Sequence, residues 1–292
     1  MKHLAFLLLF FFSVVGIAQE IPSRWDELTA SDFPKAVEKS ARTCILPIGI
    51  LEKHGPHSPL GTDLIHVRDI AARAVKNEYA VTFPDYFYGQ INEAKHQPGT
   101  FALSSDVIWK LMEATCDEIA RNGFNKIIIV NGHGGNPEFI RFFMQSLLNK
   151  RKNYAVFFCN VYESNDKAFN QKLSVMRKTP AEGDQHGGET ETSTLLYLHP
   201  ELMKMDRADQ ESGADQKRSD LPSGIYTPIW WYSSFPNHYA GIGSKATKEL
   251  GKMIVDHEVD SFTKVIKAVK ADTKTLEVQD KFYDQVDQLN KK

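Results

Sequence analysis

Three short stretches, TCILPIGI (43–50), KIIIV (126–130) and AVFFC (155–159), are apolar almost throughout and lack the alternation of a half-exposed strand. Continuous apolar strands are stable only when both faces of their sheet are covered. Segments with helical spacing lie between and around them. Ile65, Ile70, Ala71, Ala74 and Val75 fall on one face of 63–78. A helix over 105–122 is entered at Ser104 or Ser105 and stopped by Gly123, and Pro137 opens a helix over 137–150. A short strand at 80–83 and a helix at 189–198 extend the alternation. This order predicts an α/β fold: a mostly parallel central sheet with helices on both faces.

Residues 200–243 break the pattern. They are rich in Pro, Gly, Asp and Ser and carry an aromatic cluster at Trp230, Trp231, Tyr232 and Phe235. They read as a long excursion that serves as a lid or an oligomer contact. A helix over 245–270 closes the chain, and the polar tail 271–292 reads as a peripheral helix. With no internal repeat or linker, residues 19–292 are expected to form one domain with its core at about 23–270.

The first eighteen residues, MKHLAFLLLFFFSVVGIA, join a basic start to an apolar run and a small-x-small ending. That is the pattern of a signal peptide cleaved near Ala18, and it predicts a periplasmic or secreted protein with no membrane anchor after cleavage. The apolar run is short of the ~20 residues a spanning helix needs. Cys44, Cys116 and Cys159 sit in apolar segments, and an odd count cannot pair fully, so buried free thiols are expected. Thirty-five basic and thirty-seven acidic side chains leave a charge of −2, which argues against nucleic acid as a partner.

Three segments concentrate chemistry: EKHGPHSPLGTD (52–63) after the first strand, NGHGGN (131–136) after the second long one, and DQHGGETETS (184–193) where a helix begins. In an open parallel sheet, loops at the carboxyl ends of strands share one edge, where ligands bind. Two loops loaded with His and carboxylate should therefore meet there. Glu52 and His54 point the same way in an extended loop, and Asp63, at a helix start, reaches back toward them. A mixed imidazole and carboxylate set suits Zn, Fe or Mn, and a carboxylate can bridge two metals. There is no G-x-S-x-G, no H-E-x-x-H and no P-loop.

The strings LPIGILEKHGPHSPLGTD (46–63), NGHGGN and DQHGGETETS, with PGT at 98–100 and the stretch 241–251, resemble those of the creatininase family of metal-dependent amidohydrolases. The resemblance spans roughly residues 23–270. It implies a three-layer α/β/α fold, two divalent ions (Zn, Mn or Fe) per subunit, and a homo-oligomer, often a hexamer. By motif position Glu52 and His133 would bind one metal, His54 the other, and Asp63 would bridge them. In creatininase itself an aromatic residue and a ligand Glu stand where this chain has Gly134 and Gly135. Glu189 would then supply the missing carboxylate, completing the metal site but not a creatinine pocket. His186 would be the acid/base group, with Glu191 orienting it or a ligand.

These roles imply hydrolysis of a C–N bond, in an amide that is small or cyclic, by a metal-bound hydroxide. His96, Asn92 and Glu93, before PGT, are candidate substrate contacts, and Trp230, Trp231 and Tyr239 candidate pocket walls. A neighbouring reading keeps the site but changes the substrate to a keto-sugar, a formamide or a peptide end. A third is an exported metal- or ligand-binding protein without turnover.

Overall fold

The computed structural model describes residues 20–222 and 224–289. The expected signal segment, 1–18, lies outside them. One sheet contains β1 (Thr43–Ile48), β2 (Val81–Thr82), β3 (Lys126–Asn131) and β4 (Ala155–Asn160) in the order β2–β1–β3–β4. Every pairing is parallel. All residues of β1 and β3 are buried, which is why these runs do not alternate.

Strand alternation sorts the side chains into two cores. Cys44, Leu46, Ile48, Ile127 and Ile129 pack on one face against α1 (Phe33–Lys39), α3 (Ser105–Arg121) and α4 (Pro137–Ser146). Ile45, Ile128 and Val130 pack on the other against α2 (Thr62–Asn77) and α8 (Lys248–Ala271). The result is the expected three-layer α/β/α arrangement. Cys44 and Cys116 are buried free thiols, and Cys159 is a half-buried one. No helix among the described residues is long and apolar enough to cross a membrane.

Some elements carry no sequence signal of their own, and others differ from expectation in their bounds. α1 is only seven residues long. α5 (Lys167–Met176) buries no residue, so it offers no apolar stripe to read; its start is set by Asp166, which accepts from Ala168 N and Phe169 N. The helix expected over 137–150 tightens into a 3₁₀ turn at Leu147–Asn149. α8 begins at Lys248 rather than 245, because Thr247 caps it by accepting from Leu250 N. The tail forms α9 (Lys274–Leu289), pinned where the Tyr283 hydroxyl donates to the Lys150 carbonyl at 2.6 Å. The excursion holds short turns and α7 (Trp230–Ser234), and an antiparallel bridge joins Ala240 to His186.

Ile48 stands opposite Asn131 in the β1–β3 register, so the loops leaving these strands emerge side by side. The start of α2 closes over them. A Cβ at Gly132 would lie 2.6 Å from the Asp63 carbonyl oxygen, so glycine is needed for this approach.

Candidate metal centre

Glu52 and His54 project from the loop after β1, Asp63 from the first turn of α2, and His133 from the turn after β3. Glu191 comes from the first turn of α6 (Glu189–Leu198). Glu52, His54 and Asp63 are each 1% exposed, and burying such charges is costly unless they are paired or bind metal.

Asp63 divides its two oxygens. Oδ1 is 2.9 Å from His54 Nε2, whereas Oδ2 is 3.0 Å from His133 Nδ1. Glu52 Oε1 is 2.9 Å from His133 Nδ1, and Glu191 Oε2 is 3.8 Å from His54 Nε2. Three triads result, Glu52–Asp63–His133, His54–Asp63–Glu191 and Glu52–His54–His186, each with donor atoms within 4.8 Å of one another, and Asp63 belongs to the first two. Glu52 Oε1, His54 Nε2 and Asp63 Oδ2 are buried without a hydrogen-bond partner. Each such group ordinarily costs about 1–3 kcal/mol. Three of them converging in a mixed His and carboxylate set fit a divalent cation.

The rings are held for that task. His133 Nε2 donates to the Gln90 carbonyl at 3.0 Å, which leaves Nδ1 as the lone pair facing the carboxylates. His54 Nδ1 faces the Glu52 carbonyl at 3.4 Å, leaving Nε2 toward Asp63.

Burial works against the charge on every one of these groups, yet their proximity reverses most of the effect. Burial lowers His54, but Asp63 and then Glu52 and Glu191 raise it to about 10. His133 is raised well above the usual imidazole range by Glu52 and Asp63. Glu52 and Asp63 are held below the carboxylate range by the imidazoles around them. Burial raises Glu191 to about 7. Protonated His54 and His133 thus balance the carboxylates, and a bound cation must expel those protons.

His186 lies beside the centre, its ring 4.2 Å from that of His54. Burial, then the positive charge of His54, lowers it to about 3. Its Nε2 donates to the Lys53 carbonyl at 2.8 Å. At Gly187, φ is +62° and a Cβ would fall 2.8 Å from the His54 carbonyl carbon, so glycine is required where the His186 segment crosses the His54 loop.

Glu189 does not reach the centre. Its carboxylate accepts from Lys178 N at 2.9 Å and from Thr179 N and Thr179 Oγ1 at 2.7 Å each, anchoring the 178–179 turn. Glu191 is the carboxylate that faces His54, and it also accepts from Gly187 N at 2.6 Å. Tyr239 likewise stands outside: its ring packs edge-on to His57 and its hydroxyl accepts from Gly243 N. Trp230, Trp231 and Glu93 do line the cavity of about 230 Å³ at the centre, together with His186 and Glu191. Asn92 and His96 border an adjoining groove instead, where His96 Nε2 donates to the Pro236 carbonyl at 2.7 Å.

Sequence reading missed His238. It is buried at 2% exposure, donates from Nε2 to Glu52 Oε2, and accepts at Nδ1 from Trp231 Nε1 at 2.8 Å. The Ala240–His186 bridge brings it there. Its φ of +54° is rare outside glycine. The only signal was a histidine close to an aromatic cluster.

Residues 26–266 match the family model described as creatininase, creatinine amidohydrolase. Creatinine amidohydrolase of Pseudomonas putida is 25% identical over 245 residues, covering 79% of this chain and 90% of that protein. The 3-dehydro-scyllo-inosose hydrolase of Thermotoga maritima is 25% identical over 265 residues, covering 80% and 81%. The solved structure "Creatininase Mn" has a TM-score of 0.71 at 23% identity, covering 86% of this chain and 99% of that one, a likeness of fold.

Proposed function

The chain belongs to the creatininase family of hydrolases, and we propose that it is a metal-dependent amidohydrolase cleaving the C–N bond of a small amide. The observation that carries this reading is the division of Asp63 between two triads. Glu52 and His133 would hold one cation, His54 and Glu191 the other, with Asp63 between them; Zn, Mn and Fe all suit these donors. A bound pair of such ions lowers the pKa of water and neutralises charge developing on a carbonyl oxygen.

The protein's own groups do the rest. His186 is the imidazole beside the centre, its Nε2 3.8 Å from Glu52 Oε2, and it would carry a proton from the attacking water to the leaving nitrogen. Trp230 and Trp231 wall the cavity and limit the water around it.

Metal analysis of the purified protein tests the reading. Wild type is expected to hold two equivalents of divalent metal, and His133→Ala and Glu191→Ala less. Fewer than about one equivalent after metal-replete purification refutes the pair. Activity retained in His186→Ala refutes its proton-transfer role. The T. maritima relative, by its name, acts on an inosose, and this supports a second reading in which a keto-sugar occupies the same site. A panel of creatinine, formamides, short peptides and oxidised sugars separates the two. Export, suggested by residues 1–18, is tested by N-terminal sequencing of protein from the periplasm or medium.

A further inference from the structure

The metal cavity continues into a larger groove of about 1190 Å³, and the two share Glu93, Gly134, Gly135 and Trp230. These four residues form a neck. At Gly134 an added Cβ would meet nothing within 4 Å, so this side of the neck is open space into which a large side chain could project. A Cβ at Gly135 would stand 2.5 Å from His133 Nε2 and 3.3 Å from Glu93 Oε1, so glycine lets these two groups face each other. Glu93 is aimed by Gln90, whose amide donates to both carboxylate oxygens at 3.2 and 3.0 Å.

Beyond the neck, Phe139, Tyr226, Ile229, Trp230 and Tyr232 form an apolar wall of the groove, with Lys95, His96 and Glu138 also lining it. Tyr226 is 79% and Ile229 58% exposed, a concentration of uncovered apolar surface that marks binding sites. The inner cavity of about 230 Å³ opens through the neck into this groove, which gives the remainder of a larger substrate a place to enter.

We infer that the groove is a substrate subsite, and that the substrate is an amide whose amine half carries an aromatic or branched apolar group. That group lies against Trp230, Tyr232 and Phe139, while an N–H of the same half donates to Glu93. The inference rests on the hydrolase reading and names its substrate class.

Binding of amine-half probes that contain no amide bond tests it without turnover. 2-Phenylethylamine and ethylamine are titrated calorimetrically into metal-replete protein. Phenylethylamine is expected to bind at least about tenfold more tightly, as stacking on aromatic walls allows. Tyr232→Ala and Gly134→Phe, the latter plugging the neck, are expected to remove that preference while metal content is retained. Equal affinities in wild type, or a preference surviving both variants, overturn the subsite. A preference found in protein that takes up no metal would leave the subsite standing and refute the hydrolase reading instead. If Tyr226→Ser with Ile229→Ser converts a larger species to a smaller one in sedimentation, the groove is a contact between copies of this chain, and the inference fails.

Discussion

His238 gives the sharpest test of how the centre is held. It supplies a donor to Glu52, an acceptor to Trp231 and a residue at φ +54°. His238→Ala removes both hydrogen bonds. The orphaned Trp231 N–H costs about 1–3 kcal/mol, whereas the left-handed backbone is already borne by histidine and adds little. The folded state should therefore lose ~1–3 kcal/mol, read from urea unfolding of chelator-treated protein. His238→Asn behaves differently. Asparagine tolerates positive φ and offers Oδ1 to Trp231, but is too short to reach Glu52. It should keep most of the stability. Both variants lose the hydrogen bond that orients Glu52, and outer-shell partners of this kind are worth about 10–100-fold in metal affinity. Competition with a chromophoric chelator measures that loss. The refuting results are a His238→Asn protein with wild-type affinity, or affinity losses that follow stability across the two variants. Either would make His238 a packing residue and nothing more.

The placement of Glu191 rather than Glu189 among the candidate ligands predicts opposite phenotypes. Glu189→Ala strips the acceptor from Lys178 N, Thr179 N and Thr179 Oγ1 and should cost roughly 3 kcal/mol or more with metal content unchanged. Glu191→Ala should lose metal with the smaller stability change; elemental analysis beside thermal melts decides. The buried His66–Glu258 pair, 2.6 Å apart, predicts a pH dependence. Burial lowers the His66 pKa, but Glu258, and more weakly Asp63 and Glu191, raise it above 6.5. A folded-state pKa above the unfolded one stabilises fully below about pH 6.5 and loses that contribution as pH rises through the folded value. Wild type should therefore melt progressively lower across that window while His66→Gln stays flatter, and parallel profiles would refute the assignment. Gly132→Ala puts a methyl 2.6 Å from the Asp63 carbonyl, so overpacking of about 1–3 kcal/mol should accompany weakened metal binding as α2 is pushed back, measured on the same two assays.

What could be read from the chain follows from where each group sits. β1 and β3 are buried along their whole length, so composition alone marked them, and the ligand loops leave their carboxyl ends in a register that only a parallel sheet imposes. Glu52, His54, Asp63 and His133 were legible for that reason. Glu189 and Glu191 were not separable. Two residues apart on a helix they diverge by ~200°, so only one can face the crevice. The choice is made by how α6 seats on α8, where a Cβ at Gly251 would fall 1.9 Å from the Ser193 carbonyl. No pattern within 184–193 encodes that seating. His238 was further out of reach: it arrives through one bridge between Ala240 and His186, at the end of an excursion with no periodicity. The division has a chemical consequence. The candidate ligands sit on strands, helices and their turns, whereas Trp230, Tyr226 and Tyr232 sit on the excursion. On the proposed reading, metal chemistry is set by elements whose positions the core dictates together with His238, and substrate choice by the part of the excursion that carries Tyr226, Trp230 and Tyr232. A relative with the same three loops and His238 but a different segment at 225–235 should therefore keep the metal centre and change its substrate.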